Sequence, residues 1–167
     1  MKHKIVNKQN NSSGCVVCGD RNGFSLNTRF YDLESGEVVA VFHTEEWHQS
    51  YPGRVHGGLV AAVLDETVGR TICVIEPETW GVTVALELKY KKPVPTGATL
   101  KAVGRLTRNT RKLFEGSGEI LLPDGTVAVE CTGKYMKMYP NELVDVEFLD
   151  KNWYRIDDED EPSEMDV

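Results

Sequence analysis

The stretch 57–75, GGLVAAVLDETVGRTICVI, decides the architecture of this chain. Its apolar residues cover nearly the whole circumference of a helix, which is typical of a helix buried on most sides. Pro77 follows closely and predicts the end of the helix. Such a helix needs other elements packed around it, because it has no face suited to water.

Strand patterns lie on both sides of the predicted helix, separated by short turn signals. The predicted strands are 24–33, 37–43, 83–91, 100–106, 112–122 and 126–138. Short connections predict hairpins and therefore an antiparallel sheet. The expected fold is α+β, with a curled antiparallel sheet wrapped around one long central helix. A sheet of this size does not bury its outer face alone, which suggests dimerisation through edge strands.

The 167 residues suit one domain with a real core, since 40% of them are hydrophobic and 27% are charged. We expect this domain to span residues 14–140. Residues 1–13 are polar and predicted to be mobile, and 141–167 form an acidic extension predicted to be disordered from about 157. No apolar run suggests a membrane span or a signal peptide, so a cytoplasmic location is expected.

Charge is distributed unevenly along the chain. The net charge is -7, and residues 141–167 carry eleven acidic against two basic residues, or -9, which leaves +2 for the rest. The stretch 89–112 holds eight basic residues and no acidic one. Such a stretch attracts phosphate groups, or it is simply a solvated face of antiparallel strands. Nucleic acid is not expected as a partner, because the acidic tail opposes it and aromatic residues are sparse there.

His56-Gly57-Gly58 begins the predicted helix. Glycine is a poor helix former, but it lets a ligand approach the backbone closely. The first amides of a helix have no partner within it and carry the positive end of its dipole. An acyl oxygen held there would be polarised, although a tight entry turn capped by His56 explains the same residues.

Asp65 lies two turns into a helix with no evident polar face. An ionised carboxylate in such a place is paired, protonated or functional, because burying it alone costs several kcal/mol. It can serve as a general base or a nucleophile, and its neighbour Glu66 is the alternative. A structural ion pair of Asp65 with Arg70 or with a strand lysine stays open.

Four cysteines are present, and their uneven spacing does not predict a disulfide framework. Cys15 and Cys18 form a C-x-x-C, but a structural zinc site normally has four ligands and no second pair follows. Cys73 and Cys131 lie in apolar runs and are interpreted as core residues. We expect neither a metal nor a cofactor.

The chain resembles the PaaI-like acyl-CoA thioesterases of the 4-hydroxybenzoyl-CoA thioesterase superfamily. The residues that carry this resemblance are His56-Gly57-Gly58, Leu64, Asp65-Glu66, Gly69, Gly81-Val82-Thr83-Val84, Tyr90, Pro93 and Gly97. Upstream, Cys15-Val16-Val17-Cys18-Gly19 and Gln49-Ser50-Tyr51-Pro52-Gly53 resemble a branch of that family. The resemblance spans residues 14–138. It implies the hotdog fold and hydrolysis of an acyl-CoA thioester.

The resemblance also implies roles for residues. The amide of Gly57 polarises the thioester carbonyl, with Gly58 beside it and His56 shaping the turn. Asp65, nine positions after His56, acts as nucleophile or general base, usually on a substrate held by the partner subunit. Thr83 orients the attacking water.

Other roles are implied less directly. Many members carry an Asn six residues before the His; Ser50 stands there, beside Gln49, so the side chain that supports the carbonyl stays open. Coenzyme A phosphates are expected on basic side chains at the subunit edge. The candidates are Arg108, Arg111, Lys112, Lys91 and Lys92. The expected assembly is a homodimer or a dimer of dimers.

Two other functions fit the same fold. Hydratases and dehydratases of acyl thioesters share it, but their usual H-F-P-G and D-x-x-x-x-H patterns are missing. A non-catalytic protein that binds acyl-CoA or another small ligand also stays open, because Ser50 replaces the usual Asn. The identity of the acyl group is not predicted.

Overall fold

The structure is a computed structural model that describes all residues, 1–167. The strands are β1 (Lys2–Lys8), β2 (Asn11–Ser12), β3 (Arg29–Leu33), β4 (Val38–His43), β5 (Trp80–Tyr90), β6 (Thr99–Asn109), β7 (Leu113–Leu121), β8 (Val127–Met138), β9 (Trp153–Tyr154) and β10 (Glu164–Asp166). The α-helices are α1 (Gly57–Gly69), α2 (Pro140–Leu143) and α3 (Val146–Asn152). No helix has the length and apolar character needed to span a bilayer.

One sheet dominates the molecule. Eight strands lie in the order β10-β1-β3-β4-β6-β7-β8-β5, and every neighbouring pair is antiparallel. Helix α1 packs on the face formed by β4 to β8. The main apolar core lies between the helix and these strands. The predicted α+β fold, an antiparallel sheet around one central helix, is therefore confirmed.

The sheet approaches α1 closely at two glycines of β7. A Cβ on Gly116 would lie 2.6 Å from one methyl carbon of Val68, and a Cβ on Gly118 would lie 2.6 Å from the other. Side chains at these positions would push the helix away from the sheet, because cores are packed at crystal-like density. The two glycines thus set the depth at which α1 lies in the sheet.

The predicted hairpin between β5 and β6 is wrong. Strand β5 pairs with β8, and β6 pairs with β4, so the link 91–98 crosses from one edge strand to the middle of the sheet. Pro93 and Pro95 lie in this link, and proline cannot donate to a sheet ladder. The link passes the start of the helix instead, where the amide of Val55 donates to the carbonyl of Val94 at 2.9 Å.

The predicted helix 57–75 is only partly α-helical. It ends at Gly69, and Arg70–Val74 continue as a 3₁₀ helix. The helix was also predicted to be buried on most sides, but within a single chain only one side of it is fully buried. The fully buried residues of α1 are Val60, Val63, Leu64, Thr67 and Val68. The opposite side, which carries Asp65, is half-buried and borders a cavity.

The expectation that both termini lie outside the fold is corrected. Strand β1 pairs with β3 and with β10, so residues 2–8 and 164–166 both belong to the sheet. The acidic tail is held by charge: the ammonium of the buried Lys8 lies 2.9 Å from Asp158 and 2.5 Å from Glu161. Pairing with acidic partners is what makes a buried lysine tolerable. Composition alone could not reveal this partner.

Candidate active site

Asp65 is half-buried and lies in a cavity of about 360 Å³. Its carboxylate accepts hydrogen bonds from the Thr83 hydroxyl, at 2.9 Å to Oδ1 and 3.1 Å to Oδ2. The Tyr135 hydroxyl lies 3.2 Å from Oδ1 and 3.0 Å from the Asp65 carbonyl oxygen. No lysine or arginine forms a salt bridge with this carboxylate. The alternative that Asp65 serves a structural ion pair is therefore excluded within the chain.

Tyr135 is a site residue that the sequence reasoning did not single out. It lies on β8, its ring stacks on Phe114 at 5.0 Å between centroids, and its side chain is buried. Burial, and next the charge of Asp65, raise the pKa of Tyr135, so the hydroxyl remains a donor. A buried tyrosine usually needs a partner for its hydroxyl, and the alternation of β8 already placed this one on the core face. That signal was available in the sequence.

A bulge in β5 places two site residues on the same face. The pairing of β5 with β8 shifts register between Thr83 and Ala85. On a regular strand Thr83 and Tyr90, seven residues apart, would point to opposite faces. The bulge removes this conflict, because an extra residue inverts the alternation beyond it. Both hydroxyls consequently reach helix α1.

The start of α1 presents one free amide. The side chain of His56 caps the helix, because its Nδ1 accepts from the amide of Gly58 at 2.9 Å. The amide of Gly57 donates to no side chain and to no cap or loop carbonyl. The Tyr90 hydroxyl donates to the Gly57 carbonyl at 2.7 Å and steadies this turn. Gly57, rather than Gly58, is therefore the available donor.

Gly57 and Asp65 do not share a cavity within one chain. Gly57 borders a second cavity of about 320 Å³, and no residue that lines it also lines the cavity of Asp65. Eight residues of α-helix separate the two, which is about 12 Å along the axis. A single chain therefore holds the free amide and the carboxylate too far apart to act on one carbonyl group.

Glu66, the alternative carboxylate, is engaged elsewhere. Its Oε1 accepts from the Arg70 guanidinium at 2.7 Å, and its Oε2 accepts from the Cys15 thiol at 3.3 Å. Arg70 is buried and lies over the ring of Phe30 at 4.0 Å. The Arg70 partner considered for Asp65 thus belongs to Glu66, an i, i+4 pair on the helix.

Ser50 and Gln49 are separated by the loop that carries them. Ser50 borders the cavity of Gly57, whereas Gln49 is exposed and does not. The amide of Ser50 donates to the carbonyl of Arg54 at 2.9 Å, which closes the loop and brings the Arg54 side chain to the same cavity. Arg54 forms no salt bridge. No pattern in the sequence pointed to Arg54, because it lies outside the basic stretch 89–112.

The predicted coenzyme A residues form two groups. Lys91 and Lys92 border the cavity of Gly57, at the Tyr90 end of β5. Arg108, Arg111 and Lys112 lie at the β6–β7 turn, and strand pairing connects this turn to the other end of β5, near Thr83. One chain therefore does not bring the two groups together. Lys91 is paired with Glu130, and Arg108 lies 3.6 Å from Glu115.

Cys15 and Cys18, the two cysteines of the C-x-x-C, lie close to the carboxylate of Glu66. A hydrogen bond from the Cys18 thiol, together with backbone amides, lowers the pKa of Cys15. Burial raises the pKa of Cys73 to about 11 and that of Cys131 to about 12. Cys131 is buried in the core, as the sequence predicted, whereas Cys73 is half-buried and borders the Asp65 cavity.

Comparisons with known proteins identify relatives of this chain. Residues 52–129 match the family model described as the thioesterase superfamily. The acyl-coenzyme A thioesterase THEM4 of Mus musculus is 31% identical over 114 residues, which cover 68% of this chain and 48% of that protein. The chain thus spans about half the length of this curated relative.

Solved structures of the same fold are also similar. A crystal structure of a thioesterase superfamily protein matches with a TM-score of 0.67 and 27% identity, over 74% of this chain and 60% of that chain. The PaaI protein of E. coli, from the phenylacetic acid degradation operon, matches with a TM-score of 0.61 and 16% identity, over 68% and 80%. A hypothetical thioesterase of Streptococcus pneumoniae, crystallised with coenzyme A, matches with a TM-score of 0.57 and 20% identity. This match covers 62% of this chain and 80% of that chain.

These findings define a class of protein. The chain has the hotdog fold and belongs to the thioesterase superfamily. Within that superfamily, the E. coli PaaI protein shares its fold, which agrees with the resemblance seen in the sequence.

Proposed function

We propose that this protein hydrolyses an acyl-CoA thioester at a site shared by two subunits, with Asp65 from one and Gly57 from the other. The observation that carries the proposal is the Asp65 carboxylate, which is held by two hydroxyl donors without a neutralising cation. A carboxylate in such a setting is available to a substrate rather than committed to the fold. The likeness to acyl-coenzyme A thioesterases supports the reaction class.

Strand β5 supports the shared site. It is the last strand of the sheet and pairs on one side only. Its eleven residues leave Val84 57% exposed and Tyr90 54% exposed, and long exposed edges tend to pair with another chain. A two-fold symmetric partner would add its own β5 antiparallel to this one. A homodimer, alone or as half of a dimer of dimers, follows from this pairing.

The register of that pairing determines the site. The Thr83 end of β5 contacts Asp65, and the Tyr90 end contacts Gly57. If the two-fold axis passes between Leu86 and Glu87, the Thr83 end of each strand faces the Tyr90 end of the other, about 5 Å away. Asp65 of each subunit then faces Gly57 of its partner. The 12 Å gap within one chain is thereby removed.

The chemistry follows from the groups that meet there. The Gly57 amide and the positive end of the helix dipole polarise the thioester carbonyl and stabilise the oxyanion as it forms. Asp65 acts as general base on a water molecule or attacks the carbonyl carbon itself. Thr83 and Tyr135 hold the carboxylate in place, and Ser50 borders the cavity of Gly57, on the carbonyl side. The products are a carboxylic acid and free coenzyme A.

The same pairing gathers the basic side chains for the phosphates of coenzyme A. Arg54 and Lys92 form no salt bridge and border the cavity of Gly57. The β6–β7 turn of the partner, with its free Arg111 and Lys112, would approach the same end of the site. Arginine and lysine side chains without acidic partners are well suited to phosphate groups.

The test is release of free coenzyme A from a panel of acyl-CoAs. Asp65→Asn should lower kcat by about 100- to 10000-fold, the usual contribution of a general base. The matched variant is Glu66→Gln, on the adjacent carboxylate, which should keep most of the activity. Activity retained in Asp65→Asn but lost in Glu66→Gln would transfer the role to Glu66. Tight binding of acyl-CoA without turnover by the wild type would instead identify a binding protein.

A further inference from the structure

We propose that Cys15, Cys18 and Glu66 form a binding site for one Zn²⁺ ion. Their ligand atoms, two sulfurs and one carboxylate oxygen, all lie within 4.8 Å of one another. Two thiolates on the same tetrahedral zinc ion lie about 3.8 Å apart, since each zinc–sulfur bond is about 2.3 Å. The ligand atoms therefore need to move closer by about 1 Å at most to surround an ion. The proposed hydrolysis does not use these cysteines.

The loop that carries the cysteines has a shape suited to two sulfur ligands. The amide of Gly19 donates to the carbonyl of Cys15 at 2.9 Å, which closes one turn. The amide of Val17 donates to the Cys15 sulfur at 3.3 Å, and this contact favours the thiolate. The side-chain amide of Asn11 donates to the carbonyl of Cys18 at 2.9 Å and holds the loop in place at its second cysteine.

Gly19 is required by this turn. A Cβ at this position would lie 2.4 Å from the carbonyl oxygen of Ser13 and 2.6 Å from the amide nitrogen of Cys15. Both are backbone atoms, so no side-chain movement would relieve the clash. The chain therefore holds the two sulfurs in a turn that admits only glycine after the second cysteine.

Glu66 supplies the third ligand from the helix, 51 residues away in the sequence. Arg70 holds its Oε1 and leaves Oε2 directed at the Cys15 sulfur. Arg70 also donates to the Cys18 sulfur at 3.6 Å. Such contacts behind the ligands usually orient them, and they are a regular feature of metal sites.

Charge balance favours a divalent ion. Without the ion, the Glu66 carboxylate and the Arg70 guanidinium cancel, and two neutral thiols complete a site of zero charge. Zn²⁺ brings a charge of +2 and displaces two thiol protons, each with a charge of +1. The net charge of the site therefore stays at zero. A neutral site avoids the cost of an uncompensated charge in a half-buried place.

The donor set indicates which metal binds. Thiolates select zinc among the common divalent ions, whereas magnesium and calcium prefer oxygen ligands only. Three protein ligands leave the fourth tetrahedral position to solvent. The bound ion would tie the loop 13–19 to α1 at the residue next to Asp65. Val17, a wall of the Asp65 cavity, would be fixed with it.

The direct experiment is metal content. The reduced protein is incubated with zinc and dialysed, and bound zinc is measured by mass spectrometry. The wild type should retain about one ion per chain, and Cys15→Ser should retain none. Glu66→Gln should weaken zinc affinity at least about tenfold, because even groups behind the ligands contribute that much. Cys73→Ser is the matched control. Cys73 borders the Asp65 cavity, as Glu66 does, but it lies outside the cluster of proposed zinc ligands.

Two further readouts keep the test independent of folding and of catalysis. Cobalt in place of zinc should give a thiolate-to-cobalt absorption band in the wild type and Cys73→Ser, but not in Cys15→Ser. Hydrogen exchange in segment 13–19 should slow when zinc is added. Retention of zinc by Cys15→Ser, or a reduced wild type that retains no zinc and shows no cobalt band, would overturn the proposal. Neither result would affect the proposed thioester hydrolysis.

Discussion

Replacing Gly57 by proline would test the proposed oxyanion donor by itself. Gly57 is the first residue of α1, where proline is well tolerated because its missing amide has no partner within the helix. The preceding residue, His56, has φ -59 and ψ 130, a conformation that suits a residue before proline. Gly57→Pro should therefore remove the free amide and leave the helix in place.

The size of the effect follows from the role of the amide. Loss of one oxyanion donor lowers kcat by about 100- to 1000-fold, or about 3 to 4 kcal/mol of transition-state stabilisation. The assay is steady-state release of coenzyme A, with circular dichroism and thermal unfolding to confirm that the helix is intact. Thermal stability should stay within the range of the wild type.

Gly57→Ala is the matched control, because it keeps the amide and changes only the side chain. A Cβ here would lie 3.6 Å from the ring of Tyr90, an ordinary contact, so the variant should fold and remain active. Near-normal activity in a folded Gly57→Pro protein would refute the reasoning. An equal loss in Gly57→Ala would mean that space, and not the amide, matters at this position.

Three more outcomes are expected. Tyr135→Phe keeps the stacked ring but removes a hydrogen-bond donor to the Asp65 carboxylate. The free energy of unfolding, measured by denaturant titration, should fall by about 1 to 3 kcal/mol, and kcat should fall about tenfold. No change in either quantity would contradict the assigned contact. Arg54→Gln should raise KM for acyl-CoA but not for a thioester without phosphates, and an equal change for both would exclude a phosphate contact. Gly118→Ala should cost about 1 to 3 kcal/mol of stability by overpacking against α1, whereas Gly14→Ala, in open space, should not.

The central helix and most strands were predictable, because apolar periodicity reflects burial directly. Strands β4, β7 and β8 lie within a residue or two of their predicted bounds. The pairing of β5 with β8 was not predictable from short connections, since a link of eight residues suits a hairpin and a crossover equally. The bulge at Thr83 was also hidden, because it depends on the pairing with β8.

The candidate site divides in the same way. Asp65 stood out because a carboxylate in an apolar helix needs an explanation, and the structure provides hydroxyl partners rather than a cation. Arg54 and the Cys15–Glu66 contact depend on how loops fold over the helix, which no local pattern encodes. The ordered termini depend on pairs such as Lys8 and Asp158, 150 residues apart. The cytoplasmic location stays a prediction.

The most direct test of the shared site is complementation between two inactive variants. Asp65→Asn and Gly57→Pro are coexpressed or unfolded and refolded together, and coenzyme A release by the mixture is compared with that of each parent. In a two-fold dimer, half of the mixed molecules are hybrids with one intact site of two, so about a quarter of the wild-type activity should return. A mixture that contains hybrids, identified by mass, yet remains as inactive as its parents would contradict a site built from both subunits.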